Sequence, residues 1–159
     1  MTDLGSKDVQ AIKDEVRSRI MAMAPVFVET SHAIHARPEL NFEEHFACDL
    51  LVRTSENLGL PVEAGAHGSV TGFAGDAGSG PTVCVMSEYD ALPGIGHGCG
   101  HNVIAAAGLG AAAALAAVAD ACGGRVRYPG TPAAPQIKLP TALRSRSSSK
   151  RRKVRLYPK

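Results

Sequence analysis

An α/β fold is what this sequence predicts, on three observations. Two stretches before Gly59 carry apolar residues at helical spacing. Three short strand-like runs follow between Pro61 and Met86. An Ala-rich helical run from Asn102 then separates the last of these from a further strand beginning at Arg125. Strand, loop, helix and strand in that order imply a right-handed crossover, with the loop at the carboxyl end of its strand, where open sheets place their sites.

Taken in order, Val9, Ile12, Val16, Ile20 and Met23 recur at helical spacing between charges, which predicts an amphipathic helix over Asp8 to Met23. Pro25 is expected to interrupt it, with a second helical piece over Val26 to His35. Regular structure breaks again at Pro38. A helix restarts near Glu43, with Phe46, Leu50, Leu51 and Leu58 on one side, and ends at Gly59. Pro61 to Glu63, Ser69 to Ala74 and Pro81 to Met86 read as strands, with a Gly-rich turn in GDAGSG. The run TVCVM is apolar on both faces and is therefore expected in the centre of a sheet covered on both sides. Asn102 is expected to cap the Ala-rich helix, which runs to about Ala119 and is stopped by Gly123-Gly124.

Composition sets the limits. The 159 residues suffice for one domain with a real core, and 45% hydrophobic content is that of an ordinary globular protein. Only 4% of residues are aromatic and Trp is absent, so Ala, Val, Leu and Ile are expected to build most of the core. The net charge of +2 hides a division: residues 1–120 hold 6 Lys/Arg against 15 Asp/Glu, whereas residues 121–159 hold 11 Lys/Arg and no acid. The four cysteines, at 48, 84, 99 and 122, form no C-x-x-C pair, which argues against a disulfide scaffold or zinc ribbon and fits a reducing, cytoplasmic location. No signal-peptide pattern opens the chain. The 17-residue apolar run Val103 to Ala119 is mainly Ala, so a buried helix is expected and no membrane partner.

Chemistry concentrates in Ser87 to Asn102, SEYDALPGIGHGCGHN, which holds Glu88, Asp90, His97, Cys99 and His101 among four glycines. Neither a dinucleotide fingerprint nor a P-loop is present in it, so no nucleotide is expected. Cys99 and His101 are one residue apart and can project to the same side of an extended loop. Thiolate and imidazole suit zinc and related metals, and Asp90 can ligate or orient a ligand imidazole. An isolated C-x-H is more readily a Gly-rich turn with a buried Cys than a metal site, so the surrounding residues decide.

EYDALPGIGHGCGHN, with IHARPELNFEE, TGFAG and GPTVCVMSEYD, resembles the amidohydrolase branch of the aminoacylase and carboxypeptidase-type metallopeptidases, peptidase family M20, in order from about His32 to Thr131. Hippurate hydrolases, aminobenzoyl-glutamate hydrolases and certain dipeptidases belong to that branch. The resemblance implies a three-layer α/β/α sheet of the zinc-peptidase type and a site of two divalent metals, zinc or manganese. It implies hydrolysis of amide or peptide bonds in small N-acyl amino acids or dipeptides, by water held between the metals. It makes Cys99 and His101 metal ligands and Asp90 their support, with Glu88 two positions before it. His35, Pro38 and Glu39 match its H-x-x-P-E-L segment, read here as a helix end and turn. Glu43 and Glu44 read as acids at a helix start, where the dipole favours them, and His67 as an exposed loop residue.

The family motif G-T-P-A-E-E supplies a general base and a further ligand, but after Gly130-Thr131-Pro132-Ala133 this chain has Ala134 and Pro135. No Asp or Glu follows, and no His follows His101. The general-base Glu is thus not present, and the site is under-ligated. Residues 1–132 read as the N-terminal part of a catalytic domain, incomplete, and residues 133–159 as a basic disordered tail such as a reading-frame change produces. The resemblance implies a homodimer in the family, but the dimerisation and lid domain is absent from this reading, and the chain alone is expected to have little or no activity. Two other readings stand beside this one: a metal- or partner-binding module without hydrolysis, and a nucleic-acid contact through KRRKVR. The second is disfavoured because only Tyr157 interleaves an aromatic ring among the tail's cations.

Overall fold

The computed structural model describes residues 6–132, so the predicted basic tail lies outside the described residues. Three helices, α1 (Ser6–Ala36), α2 (His45–Asn57) and α3 (His101–Ala116), pack with five strands. These are β1 (Glu63–Ala64), β2 (Phe73–Gly78), β3 (Thr82–Cys84), β4 (Ser87–Glu88) and β5 (Arg125–Thr131). The sheet runs β1-β2-β5-β3, with β4 also on β5. Pairing is antiparallel from β1 to β5 and parallel from β5 to β3 and β4, which makes β4, α3 and β5 the expected crossover.

Pro25 does not break the first helix. α1 is continuous over 31 residues with Pro25 inside it. Proline removes the hydrogen bond to the carbonyl four residues back, here Met21. Met21 is 70% exposed, so water can take the place of the missing donor. The end of α2 follows its sequence signal: Gly59 adopts φ 82, its N–H donates to Glu56 O (3.0 Å), and the N–H of Leu60 donates to Ser55 O (2.9 Å). This is a Schellman closure, with Leu60 fully buried beyond it.

The centre of the sheet is β5, and Pro81–Met86 is an edge, which corrects the sequence expectation. All three residues of β3 are exposed, Val83 at 59%. Apolarity on both faces reports intended burial, but position in a sheet depends on partners distant in sequence, and no described residue lies beyond β3. In β5, Val126, Tyr128 and Gly130 point to the core while Arg125, Arg127, Pro129 and Thr131 alternate away from it. β3 and β4 keep one register against β5 but are separate strands. The N–H of Val85 donates to Arg127 O (2.9 Å), and the next rung would need an N–H from residue 129, which is proline.

One hydrophobic core joins the sheet to all three helices through Ile34, Leu51, Leu60, Phe73, Tyr89, Leu109 and Tyr128. Helices cover that one face; on the other, Arg127 and Asp76 form an exposed pair at 2.9 Å. The described residues thus supply the sheet and one helical layer of an open α/β architecture. The few aromatics matter more than their number suggests. Phe73, Tyr89 and Tyr128 are all at or below 1% exposure, and Phe73 meets the Tyr128 ring edge-on at 5.2 Å between centroids. Each contributes roughly 1.5–3 kcal/mol by burial. Their hydroxyls are satisfied inside the core, Tyr128 with Ser87 Oγ at 2.8 Å and Tyr89 with Thr71 O.

The Ala-rich run is a buried helix, with Ala105, Leu109, Ala112 and Ala114 fully enclosed, and among the described residues no helix is long and apolar enough to cross a membrane. Small side chains let α3 lie close on the sheet. A Cβ at Gly108 would stand 2.3 Å from Ser87 Oγ and 2.6 Å from Met86 O. That approach sets the middle of α3 against the start of β4.

Candidate functional site

The site is built where β4 ends and α3 begins. Glu88 closes β4, and the loop Tyr89 to Gly100 returns to α3, whose first residue is His101. The cap is Gly100, not Asn102: Gly100 has φ 85, and its carbonyl accepts the N–H groups of Val103 (2.9 Å) and Ile104 (3.1 Å). A left-handed residue here favours glycine. Asn102 lies inside the helix, where its amide donates to Ser31 Oγ (3.0 Å) and ties α3 to α1.

His101 is held tightly. Its Nδ1 is 2.6 Å from Asp90 Oδ1 and 3.1 Å from the Asp90 carbonyl oxygen. Both partners only accept, so Nδ1 carries the proton. The Asp90 side chain is 10% exposed and that of His101 21%. Nε2 is left facing Glu88 Oε2 at 3.6 Å, beyond hydrogen-bond range. A carboxylate on Nδ1–H that leaves Nε2 as a lone pair is the arrangement by which proteins orient a metal-ligating imidazole.

Of the residues singled out in the sequence, the structure brings Glu88, Asp90 and His101 together. Cys99 stands exposed on the loop two residues before His101. Among the described residues no three His, Cys, Asp or Glu side chains converge as a ligand set. The donor chemistry suits a metal, with one oriented imidazole and a carboxylate beside it, but it is only part of a site.

His97 is buried at 7% exposure, and neither ring nitrogen makes a hydrogen bond of ordinary geometry, with the Ile34 backbone acting on it only weakly. Burial first, and then the neighbouring His35, hold its pKa below the usual imidazole value. The His35 ring is 6.2 Å away between centroids, which places the H-x-x-P-E-L segment against the loop.

That segment acts as a brace. Glu39 accepts from the N–H groups of Phe46 (2.9 Å) and Ala47 (3.0 Å), capping α2, while its own carbonyl accepts from Ala91 N–H (2.7 Å), next to Asp90. Glu43 is exposed, and His67 is exposed as expected. Glu44 stands at the helix start, as the N-cap residue of α2, and is also fully buried, accepting from Thr71 Oγ1 at 2.9 Å. The buried polar line Glu44–Thr71–Tyr89 was not legible in the sequence, because its members are 18 and 27 residues apart.

Comparison with known proteins follows the same lines. No family model matches the chain. It is 35% identical over 145 residues to the mouse Xaa-Arg dipeptidase, covering 79% of this chain and 33% of that protein. It is 29% identical over 126 residues to one of the subunits of the Escherichia coli p-aminobenzoyl-glutamate hydrolase, covering 67% and 26%. A solved Bacillus subtilis structure, a dinuclear metal-binding peptidase of the M20 family, superposes with a TM-score of 0.64 at 24% identity, covering 71% of this chain and 36% of that one. The chain is homologous to this dipeptidase and this hydrolase over part of their length, and it shares the fold of an M20-family peptidase. An aminohydrolase from methicillin-resistant Staphylococcus aureus has the same fold, with a TM-score of 0.65 at 23% identity over 76% of this chain and 35% of its own. The chain spans between 26% and 36% of the length of these relatives.

Proposed function

We propose that residues 1–132 are part of the catalytic domain of an M20-type hydrolase of amide or peptide bonds in small N-acyl amino acids or dipeptides. The observation that carries this reading is the Asp90–His101 pair, 2.6 Å apart at the carboxyl end of β4, in a chain homologous to a dipeptidase and an aminobenzoyl-glutamate hydrolase. In it, His101 and Cys99 hold a divalent metal, zinc or manganese, and Asp90 fixes the imidazole. When bound, such a metal polarises an amide carbonyl and lowers the pKa of a water. Asp90 holds the proton on Nδ1, keeping Nε2 free to donate its lone pair. Glu39, through Ala91, braces Asp90 from behind. The exposed Cys99 thiol suits a reducing compartment, where it stays unoxidised.

With Ala134 and Pro135 at the positions of the family's two glutamates, the chain by itself lacks a group to take a proton from water. Metal binding without turnover is therefore expected. An assay of N-acyl amino acid and dipeptide hydrolysis on the purified, zinc- or manganese-loaded protein tests it. Metal retained without hydrolysis agrees with the proposal; turnover that disappears in Cys99→Ser shows that the chain is a complete enzyme and overturns it.

A further inference from the structure

We infer that Glu88 is itself a metal donor, forming with His101 Nε2 a two-donor position for a divalent cation. The inference rests on the hydrolase reading above and adds to it a residue outside the C-G-H motif. It starts from the tautomer. With Nδ1–H committed to Asp90, Nε2 of the neutral ring is an acceptor, and Glu88 Oε2 faces it at 3.6 Å. A lone pair and a carboxylate at this separation can share a cation between them. Two tetrahedral zinc ligands at ~2.0–2.1 Å from the metal lie about 3.3 Å apart, so the pair is within a few tenths of an ångström of a shared coordination distance.

Access and anchoring agree with this role. The Glu88 side chain is 46% exposed, open enough for an ion to enter from solvent, whereas Asp90 is enclosed and already committed to Nδ1. The Glu88 backbone is fixed by pairing with Thr131, and the Thr131 hydroxyl donates to Ser87 O at 3.2 Å. Glu88 therefore stands beside the strand end after which the sequence lacks both expected glutamates, and its carboxylate occupies the free side of the imidazole that they do not supply. The alternative role for Glu88 is a plain ion pair with a protonated His101, which needs no metal.

Cobalt(II), a spectroscopic stand-in for zinc, separates the two roles when titrated into the purified full chain by calorimetry and visible absorption. Glu88→Gln removes the charge at nearly constant size and is expected to weaken cobalt binding at least ~10-fold and to alter the visible bands, since cobalt, like zinc, loses a direct ligand. Glu88→Asp, which keeps a carboxylate, is expected to recover part of the affinity. Exposed Glu56 on α2 serves as control, with Glu56→Gln matching the unmodified chain. Circular dichroism confirms that each variant is folded. Cobalt binding by folded Glu88→Gln within twofold of the unmodified chain overturns the inference. If Cys99→Ser and His101→Ala nevertheless abolish binding in that case, the hydrolase reading stands and only the Glu88 donor falls. Absence of cobalt binding by the folded, unmodified chain overturns both.

Discussion

The two flanks of β5 are built from different interactions. On one side β2 pairs with it antiparallel over six residues, and Phe73, Tyr89 and Tyr128 lock together in the core beneath. On the other, β3 and β4 pair in parallel, are parted at Pro129, and leave Val83 and Met86 more than half exposed. The first flank is a finished piece of sheet, held by burial. The second is an open edge, yet it carries the site loop, whose order comes from polar contacts, from Asp90 to His101 and from Glu39 to Ala91. Polar contacts and close helix packing can therefore order a loop beside an open sheet edge.

The largest effects should come from glycines that hold each flank at contact distance. A Cβ at Gly130 would meet the Phe73 ring at 2.0 Å, and one at Gly108 the Met86 carbonyl at 2.6 Å. Gly130→Ala and Gly108→Ala are each expected to lose at least ~2 kcal/mol in urea unfolding, as overpacked cores do. They should differ in one respect: Gly108→Ala also disturbs the His101 environment, seen by NMR, whereas Gly130→Ala acts on the aromatic core. Equal disturbance of His101 by both would dissolve the distinction between the flanks. Tyr128→Phe, which removes the hydroxyl bonded to Ser87 and so the polar link between flanks, should cost about 1 kcal/mol.

Cys48 offers a pH test of the finished flank. Burial, followed by the weaker influence of nearby carboxylates, pushes its thiol up to about 11 from an ordinary 9.0, against a lowering contact with Tyr89. The unfolded chain then releases this proton before the folded one does. The stability it contributes is complete below pH 9 and is lost as pH rises towards 11. Cys48→Ala should flatten that alkaline decline, measured as unfolding midpoints across pH. In the folded chain at pH 8, alkylation should label Cys84, Cys99 and Cys122, which are exposed, well before Cys48. The smallest change in stability, under ~0.5 kcal/mol, is expected for Val83→Lys on the open edge. Its effect should instead be on solubility: a charge on an unpaired edge strand opposes edge-to-edge association, and light scattering should show less aggregate than for the unmodified chain. Unchanged scattering would mean that the β3 edge is not the associating surface.

Much of this was legible in sequence because it is local. Helical spacing located α1 and α2, Gly59 marked the stop of α2, and the order of strand, loop, Ala-rich helix and strand placed the site loop after the Pro81–Met86 strand. The first two residues of that loop, Ser87 and Glu88, nevertheless form the short β4. The Asp90–His101 relation was also expected, since a carboxylate and an imidazole flanking one tight loop are confined to meet. What was not legible depends on distant partners. The edge position of β3 follows from which strands pair with β5, which no pattern within TVCVM encodes. Pro25 looked like a break because its tolerance depends on the exposure of Met21. Asn102 looked like a cap because its partner, Ser31, lies 71 residues away on α1. Glu44 stands at a helix start as read, but its burial depends on Thr71, 27 residues away.

Any metal chemistry of this loop depends on one imidazole, His101, being poised as a ligand. Long-range proton–nitrogen correlation spectra of the histidine rings, recorded without metal at pH 8, read its tautomer directly. The expected spectrum has a proton on Nδ1 of His101 with Nε2 unprotonated, lost to a tautomer mixture in Asp90→Asn, and a shift of the Nε2 resonance when zinc is added. A His101 ring protonated on Nε2, unchanged by Asp90→Asn and by zinc, would contradict it.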